Sequence, residues 1–101
     1  MIYMIIHVSL LPGKREKYIK EFKKLAPLVR QEEGCLEYEI FVDSLDTRFD
    51  NEQRADVVVL PEKWDSIESL LKHSKNMIME EFRDRIKGLR QSSSYELLMS
   101  A

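Results

Sequence analysis

Apolar positions along the chain alternate between two periods. Ile2 to Leu11 is rich in β-branched and aliphatic residues and stops at Pro12-Gly13, which predicts a strand closed by a turn. From Lys14 to Glu33 the apolar residues Tyr18, Phe22, Leu25 and Val29 recur at helical spacing, with Ile19 and Ala26 widening the stripe. Pro27 falls inside that pattern, so a kink or a division into two pieces is expected there, and Gly34 ends the helix. Cys35 to Val42 then alternates, with Leu36, Tyr38, Ile40 and Val42 on one face and Cys35, Glu37, Glu39 and Phe41 on the other. Asp43 to Arg54 is polar and reads as a long hairpin loop, and Ala55 to Glu62 is a third strand.

Asp65 is a suitable N-cap for the next helix, and Glu68 three residues later can complete a capping-box-like pair. Ile67, Leu70 and Leu71 mark its buried stripe, with His73 on the edge of it. Asn76 can cap a further helix whose stripe is Ile78, Phe82, Ile86 and Leu89. Ser92-Ser93-Ser94 breaks it, and Tyr95 to Met99 forms a last strand. The order is β-α-β-β-α-β with the second α divided. It predicts an α+β, ferredoxin-like domain over residues 1–101: a four-stranded antiparallel sheet with helices on one face.

Two strands carry a further message. In the first, Ile2, Met4, Ile6, Val8 and Leu10 share one face while Tyr3 and Ile5 stand on the other; in the third, Val57 and Val59 oppose Val58 and Leu60. One layer of helices covers one face of a sheet, so a sheet apolar on both faces needs a second cover. The simplest cover is the same sheet from another copy, which predicts a homodimer burying Tyr3, Ile5 and Phe41. His7 lies on that face with Glu37 and Glu39, where a histidine–carboxylate pair is expected.

The chain has 101 residues, 44% of them hydrophobic and 34% charged, with a net charge of -2. The basic run around Lys14 to Lys24 is interrupted by Glu16 and Glu21, as on a solvated helix face, so nucleic acid is not an expected partner. One cysteine, Cys35, excludes an internal disulfide, and no Cys/His spacing suggests a metal site. The apolar N-terminus is short, lacks a basic lead-in and reaches Pro12-Gly13 rather than a cleavage site. A cytoplasmic protein without membrane insertion is therefore expected.

The third strand runs into the only Trp, and the helix after it carries one of two His, so Trp64 and His73 meet beside the core. Polar groups converging on an apolar wall are what a small-molecule pocket requires. At this point the chain resembles the antibiotic biosynthesis monooxygenase family, the dimeric α+β barrel proteins, and within it the quinol monooxygenase type. The resemblance spans nearly the whole length. It rests on Pro12-Gly13 after the first strand, Glu32-Glu33-Gly34-Cys35 before the Tyr38 strand, Glu62-x-Trp64-x-Ser66, His73, and Phe82 nine residues further. The long polar loop after Val42 also resembles that type.

The resemblance implies a monooxygenase without cofactor or metal, acting on a quinol or related phenol with dioxygen. His73 is then the catalytic base, and Glu62, Trp64, Tyr38, Phe82 and Met77 form the substrate-binding set. Many members carry a second His five residues after the first, where this chain has Ile78, and a Pro just before it, where this chain has Met77. His7 stands in the part of the first strand where haem-degrading members place an Asn. The other reading is a non-oxygenase member of the fold, a small-molecule binding module or an isomerase of a phosphorylated signalling sugar. From the residues alone, His73 is equally a helix-end histidine bonded to a carbonyl, Trp64, Tyr38 and Phe82 are core first and lining second, and Cys35 is a buried thiol.

Overall fold

In the computed structural model, which describes residues 1–101, the elements are β1 (Ile2–Leu10), α1 (Arg15–Arg30), β2 (Cys35–Tyr38), β3 (Val57–Trp64), α2 (Ile67–Lys75), α3 (Met77–Ile86) and β4 (Arg90–Leu98). The strands form one antiparallel sheet in the order β2-β3-β1-β4, and the ferredoxin-like arrangement is present. No helix is long and apolar enough to cross a membrane.

The core lies between the sheet and the helices. β1 sends Val8 and Leu10 into it, β3 sends Val58, Leu60 and Trp64, and α1 sends Tyr18, Phe22, Leu25, Ala26 and Val29. The α1 stripe matches its sequence pattern, because residues three and four apart share a helix face. α1 continues through Pro27 as one element. The missing N–H deprives only the carbonyl of Lys23, whose residue is exposed to solvent.

Several local expectations change. The strand predicted over Cys35 to Val42 is regular only to Tyr38, with one isolated bridge between Phe41 and Val59. A register shift between Cys35 and Glu37 breaks the alternation: Cys35 pairs with Trp64 and Tyr38 with Glu62, and Leu36 is 47% exposed instead of sharing Tyr38's burial. The cap of α2 is Ser66, not Asp65, with the Ser66 hydroxyl accepting from the Ser69 N–H at 3.2 Å. β3 runs on through Trp64, and that extension pushes the helix start along by one position. Glu68 completes no box. β4 includes the three serines and starts at Arg90, because pairing with β1 supplies its hydrogen bonds whatever its propensity.

Two joints hold the site. Gly34 has φ +83°, a left-handed conformation, and its carbonyl accepts from the Asp65 N–H at 2.9 Å. That bond ties the start of β2 to the start of α2. The neck of the long loop is closed by Asp43, which accepts from the Arg54 backbone N–H at 2.8 Å and from its guanidinium at 2.9 Å. Those bonds hold the Asp43 carboxyl well below the usual carboxylate range.

Candidate active site

Alternation along β3 delivers Leu60, Glu62 and Trp64 to the helix side of the sheet. A carboxylate there must be paired or lose its charge. Glu62 is 5% exposed and accepts from the Trp64 indole N–H at 2.9 Å. Burial pushes its pKa up to about 7, helped by the Glu32 charge and opposed by the Trp64 bond.

α2 brings His73 over these two residues in its last turn, where it is 3% exposed. Its ring lies 4.7 Å from the Trp64 ring at 33° and meets Tyr38 edge-on at 5.6 Å. Nδ1 stands 3.1 and 3.3 Å from the two carboxylate oxygens of Glu32. An ionised carboxylate only accepts, so Nδ1 carries the proton and Nε2 keeps its lone pair. Nε2 lies 3.9 Å from Glu62 Oε1, within its field but beyond direct hydrogen bonding. Burial lowers the His73 pKa below its ordinary value, with Glu32 acting against that and Arg83 reinforcing it, so the ring is neutral near pH 7.

Glu32 was not singled out as a site residue from sequence. It occupies the turn between α1 and β2, and it also accepts from Asn76 Nδ2 at 2.9 Å. Asn76 in turn caps α3, its Oδ1 accepting from the Met79 N–H at 2.9 Å. The break between α2 and α3 is therefore held to the β2 turn by the same carboxylate that orients His73. The Glu32-Glu33-Gly34 run was visible in the sequence, but no spacing rule says which glutamate turns inward.

A cavity of about 410 Å³ lies between α2, α3 and the sheet. That volume suits a small organic ligand. Tyr38, Phe82, Glu62 and His73 line it, as the sequence suggested. Two expected lining residues do not. Trp64 is 0% exposed and sits behind Glu62 and His73, its one polar atom satisfied by Glu62, so it acts as their backing. Met77 is 73% exposed at the start of α3 and points away from the cavity, because the Asn76 cap turns the first residue of that helix outward. Ile67 and Leu71, expected in the buried stripe, lie at the cavity wall with substantial exposure.

The remaining lining is apolar apart from Ser74, Arg83, Arg90 and Ser93. No group of three or more His, Cys, Asp or Glu side chains is placed to hold a metal ion. Tyr38 stacks on Phe22 at 5.0 Å, and its hydroxyl reaches Met79 Sδ at 3.9 Å. Burial raises the Tyr38 pKa far above the usual phenol value, and that of Cys35 to about 11, so neither serves as an anion. His7 stands on the opposite sheet face and pairs with Glu96 at 3.1 Å, rather than with Glu37 or Glu39.

This fold, with a histidine presented to a cavity beside a buried carboxyl, can be set against known proteins. The profile of the family described as antibiotic biosynthesis monooxygenase matches residues 1–87. The chain belongs to that family. Among members and neighbours, it is 30% identical over 90 residues to the Escherichia coli K12 protein named "Probable quinol monooxygenase YgiN", covering 87% of this chain and 86% of that one. A solved structure from Bacteroides thetaiotaomicron is 28% identical with a TM-score of 0.79, covering 96% of this chain and 94% of the other. PA3566 from Pseudomonas aeruginosa shares the fold at a TM-score of 0.82 and 22% identity, over 99% and 93% of the two chains. Within this antibiotic biosynthesis monooxygenase domain, Ile78 is half-buried against the core. The polar group on the Nε2 side of His73 is Glu62.

Proposed function

We propose that this chain is a cofactor-independent monooxygenase acting on a quinol or related phenol, with His73 as general base and Glu62 as its proton-donating counterpart. The observation that carries the reading is the setting of His73: buried, fixed through Nδ1 by Glu32, with Nε2 free beside the cavity. A quinol hydroxyl placed at Nε2 loses its proton and becomes electron-rich enough to reduce dioxygen. One electron passes to dioxygen, the radicals combine at a ring carbon, and the O–O bond then breaks. One oxygen remains on the ring and the other leaves as water, so that hydroquinone and dioxygen give a hydroxyquinone and water. The substrate supplies all four electrons. Glu62, half protonated near pH 7, supplies the proton that the departing oxygen needs and regains it from His73. Burial lowers the His73 pKa and raises that of Glu62, so a proton taken up by His73 passes readily to Glu62.

Oxygen consumption with reduced naphthoquinones, benzoquinols and anthrones tests this directly. Protein-dependent uptake with one equivalent of oxygen per quinol is expected, and labelled dioxygen should place one heavy atom in the product. A panel without protein-dependent uptake would remove the oxygenase reading and leave a binding module or isomerase on the same fold.

We further propose that the protein works as a homodimer in the cytoplasm, where its single cysteine stays reduced. Support comes from the sheet face away from the helices, where Tyr3 and Ile5 are half-buried and Phe41 is 56% exposed, with Leu98 at its edge 44% exposed. Burying that face against a second copy removes roughly 2,000 Å² from water, the scale of an obligate dimer. Light scattering should give twice the chain mass at micromolar concentration, and a stable monomer would defeat the dimer.

A further inference from the structure

We propose that the substrate carries an anionic substituent, in its simplest form a carboxylate on the phenolic ring, and that Arg83 and Arg90 hold it. The proposal rests on the cavity being the substrate site of the oxygenase described above. Three arginines are left without a carboxylate partner; Arg15 donates to the Arg54 carbonyl away from the cavity, and the basis of the proposal is the placement of the other two.

Arg30, Arg48, Arg54 and Arg85 each pair with a carboxylate within 4.0 Å. Arg83 and Arg90 have no such partner, yet both line the cavity. Arg83 projects from α3 and donates from Nη2 to the Ser74 carbonyl at 2.7 Å, which parks its guanidinium at the break between α2 and α3. The other donors of that group remain open. Arg90 begins β4 and pairs in register with Leu10, whose side chain is buried on the helix side. Cross-strand partners share a face, so Arg90 also lies on the helix side of the sheet. Its one side-chain contact is a long one, Nη1 to Ser93 Oγ at 3.5 Å.

One cation thus enters from the helix layer and one from the sheet. Both fields reach the lining: Arg83 lowers the pKa of His73, and Arg90 lowers that of Tyr18 against the larger effect of burial. The only acid lining the cavity is Glu62, which is largely engaged by Trp64 and half neutral near pH 7. The lining itself therefore carries net positive charge, with the Glu32 carboxylate set behind His73, and the rest of its wall is mostly apolar. An apolar ring with one acidic substituent matches both properties, and guanidinium forks suit carboxylates through paired N–H donors. The acid would fix the ring end-on, leaving a hydroxyl for His73.

The test compares 1,4-dihydroxy-2-naphthoic acid with its methyl ester as oxygen-consuming substrates. Equilibrium binding of 1-hydroxy-2-naphthoic acid and its methyl ester, which lack the second hydroxyl, is measured in parallel. The native protein should favour the acid over the ester in kcat/KM and in affinity. Arg83→Gln with Arg90→Gln should lower that acid-to-ester ratio by about 10- to 100-fold, with Arg90→Lys retaining part of it. The acid preference should also shrink with rising salt. Arg90→Gln alone serves if the double variant unfolds, since Arg90 has no structural hydrogen bond to lose beyond Ser93. A ratio unchanged by these variants, or no binding of the acid, would overturn the proposal. Oxygen uptake with acid and ester alike would then still uphold the oxygenase. Arginine-dependent binding of the acid without uptake would instead uphold the anion site and reject the oxygenase.

Discussion

His73→Ala should lower oxygen-consuming turnover by about 10²- to 10⁴-fold, the range for losing a general base. The variant will also lose stability. His73 is wedged between Trp64 and Tyr38 and satisfies Glu32, so its removal opens a gap and leaves a half-buried carboxylate short of one partner. About 1–3 kcal/mol is expected from those two effects, and melting must be followed beside activity. The native pH profile should have two limbs. Burial holds the His73 pKa below its usual value of 6.5, so the base becomes available as pH rises through a range more acidic than that. Glu62 gives up its proton at about 7, so the rate should fall again above neutrality. These limbs belong to the pair as a unit, because the two groups lie 3.9 Å apart. Glu62→Gln should remove the alkaline limb, and His73→Ala the acidic one. Native rates in His73→Ala would leave a substrate that ionises unaided, or no oxygenase.

Gly34→Ala should lower the melting temperature by roughly 10–20 °C, the shift that a loss of about 3 kcal/mol produces in a domain of this size. Two causes act together. The left-handed φ of +83° costs a residue with a Cβ about 1–2 kcal/mol. The new Cβ would also meet Asp65 Oδ1 and Ser69 Oγ, with Ser69 Cβ at 2.6 Å. Those side chains are not free to withdraw, because Asp65 accepts from Ser66, and Ser66 with Ser69 caps α2. Gly13→Ala is the control: it has φ +78° but open space around the added atom. Calorimetry of both variants separates strain from collision. Equal losses at the two positions would show that the close approach of β2 to α2 contributes nothing.

Much of the architecture was legible because face and period are local properties. Alternation in β3 placed Val58 and Leu60 together, and helical spacing placed Tyr18, Phe22, Leu25 and Val29 together, before any tertiary contact was known, while the run of β3 on through Trp64 came only with the structure. The doubly apolar β1 and β3 and the position of His73 at the end of α2 are equally features of spacing. What sequence could not supply was where side chains on one face stop. Trp64 and Glu62 point the same way, but their mutual hydrogen bond and the weight of His73 above them leave only Glu62 at the cavity. Met77 faces outward because of a cap one residue earlier, and β4 forms through three serines because β1 offers it a ladder.

Local pattern alone therefore determined the order of elements, the helix-facing set and the position of His73, which the family resemblance makes the candidate base. The tertiary structure decided the partners of that base. Glu32 is 41 residues from His73 along the chain, and Arg83 and Arg90 reach the same cavity from different layers. Such meetings are set by how strands and helices stack. A period of two or of 3.6 residues records which way a side chain points, but not what it finds there.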